Sequence, residues 1–367
     1  MNRLENMSKP LVWSTALLLA AIVAGCGGST GAAGTPGAQG NPGINGLPGA
    51  SGVPGTPAPS TTPGAVNLLT AAPYALTTSA GLTASIGSAS GVANSASFGG
   101  NVAMDATTSA CTSTPAVSAV GQDSCGLNTA TVDYINPAVN TAGGLAITGT
   151  TIRYNPGATN TTAFNASVRA VKNDVNTAWK DAFNRLGGVS IPGPGALDGR
   201  VLSPGVYSSA STMTLGNGQT LTLDAGAGNT NAANAVWIFQ VGSSMTITGS
   251  TVACTGTAPN YVCTPTQVKL INGALARNVF WQIGTPGTCT AGNCMVSFPA
   301  ATGPVQNNTL FNGTILAGGN VTFAGGTAMV GRVLAGADLL GTPNTQTGGA
   351  VTTTGGSTGA VIVTLPQ

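Results

Sequence analysis

Short apolar runs separated by glycine, asparagine and serine recur along the chain from about residue 65 onward. Examples are residues 235–240 (AVWIFQ), 278–283 (NVFWQI) and 313–317 (GTILA). Turn-forming residues at this frequency predict many short strands. The strands follow a rough three-part cycle, one apolar and two bearing threonine or serine, with roughly 20–40 residues per turn. The pattern therefore predicts a mainly β protein built as a β-solenoid, in which each coil buries its inner side against its neighbours.

Residues 161–186 break this pattern, because they contain neither proline nor glycine. Apolar side chains recur there at steps of three and four residues, at Phe164, Val168, Val171, Val175, Ala178, Trp179, Ala182 and Leu186. This spacing predicts an amphipathic α-helix that is begun by Asn160 or Thr161 and ended by Gly187 and Gly188. Its length of about 40 Å matches roughly seven or eight coils stacked at about 4.8 Å, so one helix fits alongside the solenoid.

A second strand of alternating character follows the apolar strands, as in residues 212–215 (TMTL), 245–248 (MTIT), 295–298 (MVSF) and 320–323 (NVTF). Successive side chains of a strand point to opposite faces, so the apolar members are expected inside. The outward positions, with those of residues 82–85 (LTAS), are Thr83, Ser85, Thr212, Thr214, Thr246, Thr248, Ser297, Asn320 and Thr322. Stacked coils would arrange them as a flat array spaced about 4.8 Å between coils and about 6.7 Å along a strand. This face is the candidate binding surface.

A second ladder of Thr220, Thr222 and Thr251 competes with this face, unless the helix covers it. A single threonine on an exposed strand is most often a solvated β-former. Repetition over four or more coils is what distinguishes the candidate positions as a set.

The N-terminal segment has the features of a lipoprotein signal peptide. Arg3 and Lys9 precede an apolar run at residues 11–24 that is short for a membrane span. The run ends in VAGC at Cys26, which resembles the bacterial lipobox. We therefore predict that residues 1–25 are removed and that Cys26 carries the lipid; the alternatives are an ordinary cleaved signal peptide and a membrane anchor. Gly27, where aspartate would retain the protein at the inner membrane, favours an exported lipoprotein of the outer membrane or cell surface, its orientation left open.

Residues 31–57 carry glycine at every third position for nine triplets, which is the collagen period. Many of these triplets lack proline. The segment 26–64 is therefore predicted to be an extended stalk or linker of a monomer. Trimerisation through the collagen-like repeat is the alternative. The solenoid domain is expected to span residues 65–367.

Seven cysteines leave an even set of six once Cys26 is set aside. Export permits disulfides, and the short spacings favour three local pairs, Cys111 with Cys125, Cys254 with Cys263, and Cys289 with Cys294. A zinc site is the weaker alternative, because the chain has no histidine and no CxxC knuckle. No metal or other cofactor is expected.

Charged residues make up only 5% of the chain and the net charge is +2, against about a quarter charged in an ordinary domain. The few lysines and arginines form no patch, which argues against nucleic acid. Solenoid hydrolases and lyases need clustered carboxylates, yet no aspartate of this chain recurs on a repeating face. The chain is therefore not expected to be an enzyme.

A carbohydrate- or surface-binding adhesin or matrix protein is the alternative function. Sugar-binding faces usually carry aromatic rings on which the sugar stacks. The aromatic residues here, Trp237, Phe239, Phe280 and Trp281, lie in apolar runs that are typical of core. The pattern consequently favours a face that binds through threonine and serine.

Six ordered motifs carry a family resemblance: residues 202–207 (LSPGVY), 221–225 (LTLDA), 236–240 (VWIFQ), 270–274 (LINGA), 278–282 (NVFWQ) and 331–335 (GRVLA). Together they resemble the microbial ice-binding proteins, over about residues 65–340. The resemblance implies a right-handed β-solenoid of discontinuous coils with one long parallel α-helix. It also implies that the Thr/Ser-rich face binds ice, inhibiting ice growth and recrystallisation or attaching the cell to ice.

The sequence departs from the family in four regions. Residues 105–156 are expected to form an enlarged cap insertion, and residues 341–367 a tail rich in glycine and threonine. The segments that contain Cys254 and Cys263, and Cys289 and Cys294, interrupt two coils.

Overall fold

The computed structural model describes residues 63–79, 81–86, 96–104, 145–153, 161–192, 195–252, 255, 264–287, 289, 293–299, 309–337, 349–355 and 361–367. All of them belong to one of the two compact units into which the chain divides, Pro59–Gln367. The predicted signal peptide and nearly all of the predicted stalk, Cys26 included, lie outside the described residues. The same is true of Cys111, Cys125, Cys254 and Cys263.

The described residues form one α-helix, α1 (Thr161–Phe183), and twenty-one strands. The strands are β1 (Tyr74–Thr78), β2 (Gly81–Ile86), β3 (Ala96–Gly99), β4 (Asn101–Met104), β5 (Leu145–Ile147), β6 (Thr151–Arg153), β7 (Val189–Ser190), β8 (Val201–Leu202), β9 (Gly205–Ser209), β10 (Met213–Leu215), β11 (Thr220–Asp224), β12 (Trp237–Val241), β13 (Met245–Ile247), β14 (Thr266–Ile271), β15 (Val279–Ile283), β16 (Val296–Phe298), β17 (Thr309–Ala317), β18 (Val321–Ala324), β19 (Thr327–Ala335), β20 (Ala350–Gly355) and β21 (Val361–Thr364). Short 3-10 helices span Leu69–Ala71, Ala232–Asn234 and Ala276–Asn278.

These strands pair in parallel and form the walls of a solenoid. A fifteen-stranded sheet supplies two walls, which share β17 and β19. One wall has the order β7-β9-β12-β15-β17-β19-β1-β4-β6, and the other β8-β11-β14-β17-β19-β21-β3-β5. A six-stranded sheet, β10-β13-β16-β18-β20-β2, supplies the remaining wall.

The order in which the coils stack differs from their order along the chain. β1 pairs with β19, and β2 pairs with β20. The N-terminal strands therefore extend the stack beyond the C-terminal coils. This arrangement is the β-solenoid of discontinuous coils, with one long helix alongside, that the sequence predicts.

Aromatic rings form a continuous column inside the solenoid. Its successive members, with ring centroids 5.6, 4.0, 5.1, 5.2 and 4.7 Å apart, are Tyr207, Phe239, Trp281, Phe311, Phe298 and Phe323. The indole Nε1 groups of Trp237 and Trp281 donate to the carbonyls of Leu202 and Asn312, both at 3.0 Å. Burying these rings therefore leaves no indole donor unpaired. The prediction that the aromatic residues are core is confirmed.

The apolar stripe of α1 packs on the outer side of the first wall. Its buried members, of the predicted set, are Val168, Val171, Val175, Ala178, Trp179 and Ala182. They form one buried hydrophobic cluster with residues of the wall that include Ile238, Phe280 and Leu316. The predicted end of the helix is wrong by three residues, and Leu186 is 92% exposed. Gln240 explains the difference, because its Nε2 lies within hydrogen-bond distance of the carbonyls of Ala182, Phe183 and Arg185 where the helix ends.

Two predicted boundaries need correction. The segment 341–367 is not a tail throughout, since β20 lies between β18 and β2 and β21 lies between β19 and β3. Likewise, β5 and β6 fall within the predicted cap 105–156 but pair with β3 and β4. These strands are three to six residues long, and composition rich in glycine and threonine hides their apolar alternation.

Candidate functional site

Six threonine or serine residues occupy the same position on successive strands of the six-stranded sheet. The pairing registers connect them in one unbroken series. In stacking order the members of this threonine row are Thr214, Thr246, Ser297, Thr322, Thr352 and Thr83. Adjacent strands lie about 4.8 Å apart, so the row extends for about 24 Å.

The residues on either side of the row are buried, which fixes its orientation. Those flanking the first four members are at most 1% exposed and are Met213, Leu215, Met245, Ile247, Val296, Phe298, Val321 and Phe323. Thr214, Thr246, Ser297 and Thr322 are each partly exposed. Because alternation places neighbours on opposite faces, these four side chains lie on the outside of a wall held by a packed core.

Neighbouring members of the row also contact each other. The Thr322 hydroxyl lies 3.3 Å from the Ser297 hydroxyl and 3.4 Å from the Val296 carbonyl. Both contacts restrain the Thr322 side chain, whose β-branch already limits its rotamers. The Thr322 side chain is therefore held in place before any ligand arrives.

The other predicted positions flank the row without extending its regularity. Thr212 and Asn320 precede β10 and β18, but in the intervening coils Ser244 and Met295 stand at that level, as hydrogen bonds from the following residues show. Asn320 has a structural contact, because its Oδ1 accepts from the Gly349 amide at 2.8 Å.

At the other end of the strands, Thr248 follows β13 and is partly exposed. Pro299 follows β16, and Ala324 pairs with Thr354, which in turn pairs with Ser85. This level of the sheet thus mixes polar and apolar residues. The structure gathers all nine predicted residues into one sheet or its margins, and their regularity is confined to the central row.

Sequence reasoning missed Thr352, because it lies in the segment that we expected to be a tail. Its register with Thr322 on one side and Thr83 on the other links the N-terminal strand to the row. The sequence signal was weak, because only Val351 of its two buried neighbours, Val351 and Thr353, is apolar.

The competing ladder lies on another wall and does not form an array. Thr222 on β11 pairs with Val201 and Lys269, which breaks the series at once. Thr251 lies outside the strands and exchanges hydrogen bonds with the Asn217 side chain at 2.8 and 2.9 Å. Another in-register run, Thr266, Thr309 and Thr327, has three members and is buried. The threonine row is therefore the longest such run found among the described strands.

Charged groups take part in turns and caps of the described coils. Asp224 accepts from the Asn272 side chain and the Gly226 amide, and these hydrogen bonds lower the pKa of its carboxyl.

Within the described ranges, no three histidine, cysteine or carboxylate residues are grouped as a metal site would need. No helix of the same ranges is long and apolar enough to cross a membrane.

Comparison with known proteins places these features in context. The model of the family described as Ice-binding-like matches residues 86–342. An ice-binding protein of Nostoc sp. (strain HG1) is 31% identical over 215 residues, which cover 57% of this chain and 65% of the relative. Ice-binding protein 1 of Shewanella frigidimarina is 31% identical over 183 residues, which cover 48% of this chain and 16% of the relative. The chain thus spans less than two thirds of the length of these relatives.

Solved structures show the same fold. The crystal structure of an ice-binding protein from an Antarctic biological consortium matches with a TM-score of 0.53 and 22% identity, over 85% of this chain and 96% of that one. An ice-binding protein from an Arctic yeast matches with a TM-score of 0.50 and 19% identity, over 82% and 94% of the two chains. At this level of identity the likeness concerns architecture.

Proposed function

The chain belongs to the ice-binding-like family, and from that premise we propose that its six-stranded sheet binds ice. The binding surface comprises the threonine row, with Ser85, Thr212, Thr248 and Asn320 at its margins. The observation that carries the proposal is the unbroken register of the row over six parallel strands.

Threonine suits contact with ice for two reasons. Its hydroxyl anchors a water molecule, while its methyl group limits hydration of the rest of the side chain. Its fixed rotamer means that little side-chain entropy is lost on binding. A rigid repeat of such groups orders water in a matching layer, so that the sheet adsorbs to a growing crystal. Ice then grows as curved fronts between adsorbed molecules, which lowers the local freezing temperature and blocks recrystallisation.

A single chain suffices for this activity. The row is complete within one solenoid, and adsorption requires neither a cofactor nor a catalytic group. We therefore propose a monomer as the functional unit, with a trimer through the collagen-like repeat as the alternative. An exported protein held by a lipid on Cys26, after removal of residues 1–25, would present the sheet at the cell surface on the stalk 26–64. Ice binding would then attach the cell to ice.

The test is ice recrystallisation inhibition by the purified protein and by two variants. Thr246→Tyr places a bulky ring within the row, between Thr214 and Ser297, and is expected to abolish inhibition. Thr222→Tyr is the matched control, because Thr222 is also a partly exposed mid-strand threonine but lies on another wall. It is expected to retain the parent's activity. Unchanged ice growth with the parent protein would refute ice binding, and equal activity of both variants would refute the choice of sheet.

A further inference from the structure

The connection that leads into β16 is longer than its counterparts in neighbouring coils. Three residues connect β9 to β10 (210–212), β12 to β13 (242–244) and β17 to β18 (318–320). Twelve residues, 284–295, connect β15 to β16. An insertion of nine residues therefore lies directly ahead of the strand that carries Ser297.

A disulfide closes this insertion at the corner of the coil. Cys289 and Cys294 are bonded, with their Cα atoms 5.3 Å apart, in the pairing that the spacing predicts. Both sulfurs lie against Gly284, where an added Cβ would stand 2.2 and 2.6 Å from them. The Gly284 amide itself donates to the Val241 carbonyl at 2.7 Å, as corner residues of the adjacent coils do. The disulfide thus packs against Gly284, the corner residue that directly precedes the inserted residues.

At Cys294, after the insertion, the chain again lies where the three-residue corners of the neighbouring coils lie. Its side chain is 1% exposed within the core, and its carbonyl accepts from the Gly319 amide of the next coil at 3.1 Å. The next residues are paired on both sides, with Met245 N donating to Met295 O and Val296 N donating to Asn320 O, each at 2.9 Å. β16 therefore enters the sheet directly from the disulfide.

Register matters here because the side-chain period of a strand is two. A slip of one residue in β16 would turn Ser297 inward and Val296 outward, and would interrupt the row at its third member. We propose that the Cys289–Cys294 disulfide is a positioning element of the ice-binding surface: it fixes the register of β16 and so holds Ser297 between Thr246 and Thr322. The inference rests on the proposed function, and it makes ice binding dependent on oxidation of this pair.

Two variants of the whole protein test the proposal. Cys289→Ser combined with Cys294→Ser removes this disulfide and leaves the other cysteines untouched. The second variant deletes residues 285–293 and carries Cys294→Ser, so that Gly284, residue 294 and Met295 form a three-residue corner like 242–244. If the disulfide acts through register, the double serine variant needs severalfold more protein to inhibit recrystallisation, and the shortened variant regains the activity of the parent without any disulfide.

Amide hydrogen exchange provides a readout that does not depend on ice. In the double serine variant, protection of residues 296–298 is expected to fall about tenfold or more, while protection of β12 stays unchanged. Unchanged protection would overturn the positioning role whether or not the protein binds ice. Lost protection with full ice activity would overturn it as well, as would a shortened variant that is protected but inactive. A parent protein without ice activity would refute the proposed function alone, and exchange would still decide the register claim.

Discussion

Gln240 ties the sheet to the end of the helix. Its Nε2 lies 2.9, 2.9 and 2.8 Å from the carbonyl oxygens of Ala182, Phe183 and Arg185. The carbonyls at a helix C-terminus have no partner within the helix, so one side chain satisfies several of them. The residue is therefore structural, although it lies in VWIFQ, one of the six motifs on which the family resemblance was based.

Gln240→Leu keeps a side chain of similar size and removes its donor. We expect it to lower the free energy of unfolding by about 1–3 kcal/mol, because partly buried carbonyls lose their partner. Gln267→Leu is the control, since that partly exposed glutamine has one weak contact, 3.3 Å to the Thr220 hydroxyl. Its effect should stay within about 0.5 kcal/mol. Denaturant unfolding measures both, and equal effects would contradict the assigned role of Gln240.

At the residue scale, alternation carried most of the prediction. Apolar residues on both sides of Thr214, Thr246, Ser297 and Thr322 define which face each side chain takes, and this is visible in the sequence. What alternation does not give is register between coils, because that depends on corner lengths and insertions. The sequence therefore does not distinguish the residues at the margins of the surface from those of the row. Asn320 is an example, because its side chain accepts a hydrogen bond from the Gly349 amide.

Strands β17 and β19 run through two walls, and each bends at a glycine. Gly313 pairs with Gly331, and a Cβ on Gly331 would stand 1.8 Å from the Gly313 carbonyl oxygen. Gly313 also has φ of +121°, which disfavours any side chain there. The two coils approach so closely at this bend that only hydrogen fits between them.

Gly331→Ala is expected to force the two coils apart and to destabilise the protein by more than about 3 kcal/mol. The matched control is Gly205→Ala in β9, where the added Cβ would have no neighbour nearer than 3.7 Å and φ is not positive. That change should alter the free energy of unfolding by less than about 1 kcal/mol. Thermal or denaturant unfolding compares the two. Similar stability of both variants would contradict the close approach at residue 331.

At the element scale, long periodic segments were predicted well and short strands were not. The helix is evident from eight apolar positions over 26 residues, and only its end was missed, since Gln240 is distant in sequence. β20 and β21 have six and four residues and follow a glycine-rich segment. Their place in the sheets comes from pairing with coils already formed, and composition alone does not reveal it.

The whole molecule is a stack whose order along the axis departs from chain order. Each coil pairs only with its neighbours. The local amino-acid sequence therefore determines the structure of each coil more strongly than it determines the order in which the coils stack. β1 and β2 join the stack beside β19 and β20, and the apolar pattern of β1 is compatible with any buried position. The family motifs, not periodicity, implied this discontinuity. As a result, the last two members of the threonine row, Thr352 and Thr83, come from opposite ends of the solenoid sequence.

The proposed lipid anchor makes a prediction for the molecule on a cell. Cells that produce the protein are expected to incorporate an alkyne-labelled fatty acid into it and to remain attached to an ice surface. Cys26→Ala should abolish both labelling and attachment, because export without the lipid releases the protein from the membrane.

Thr246→Tyr is the complementary variant, which should keep the label and lose attachment, whereas Thr222→Tyr should keep both. Cys26→Ala alters only the anchor, and Thr246→Tyr alters only the sheet. Loss of attachment in both variants would therefore show that the molecule bridges the membrane and ice. Attachment that survived Cys26→Ala would rule out the lipid as the bridge, and a Cys26→Ala protein that still carried the label would rule out that cysteine as the modified residue.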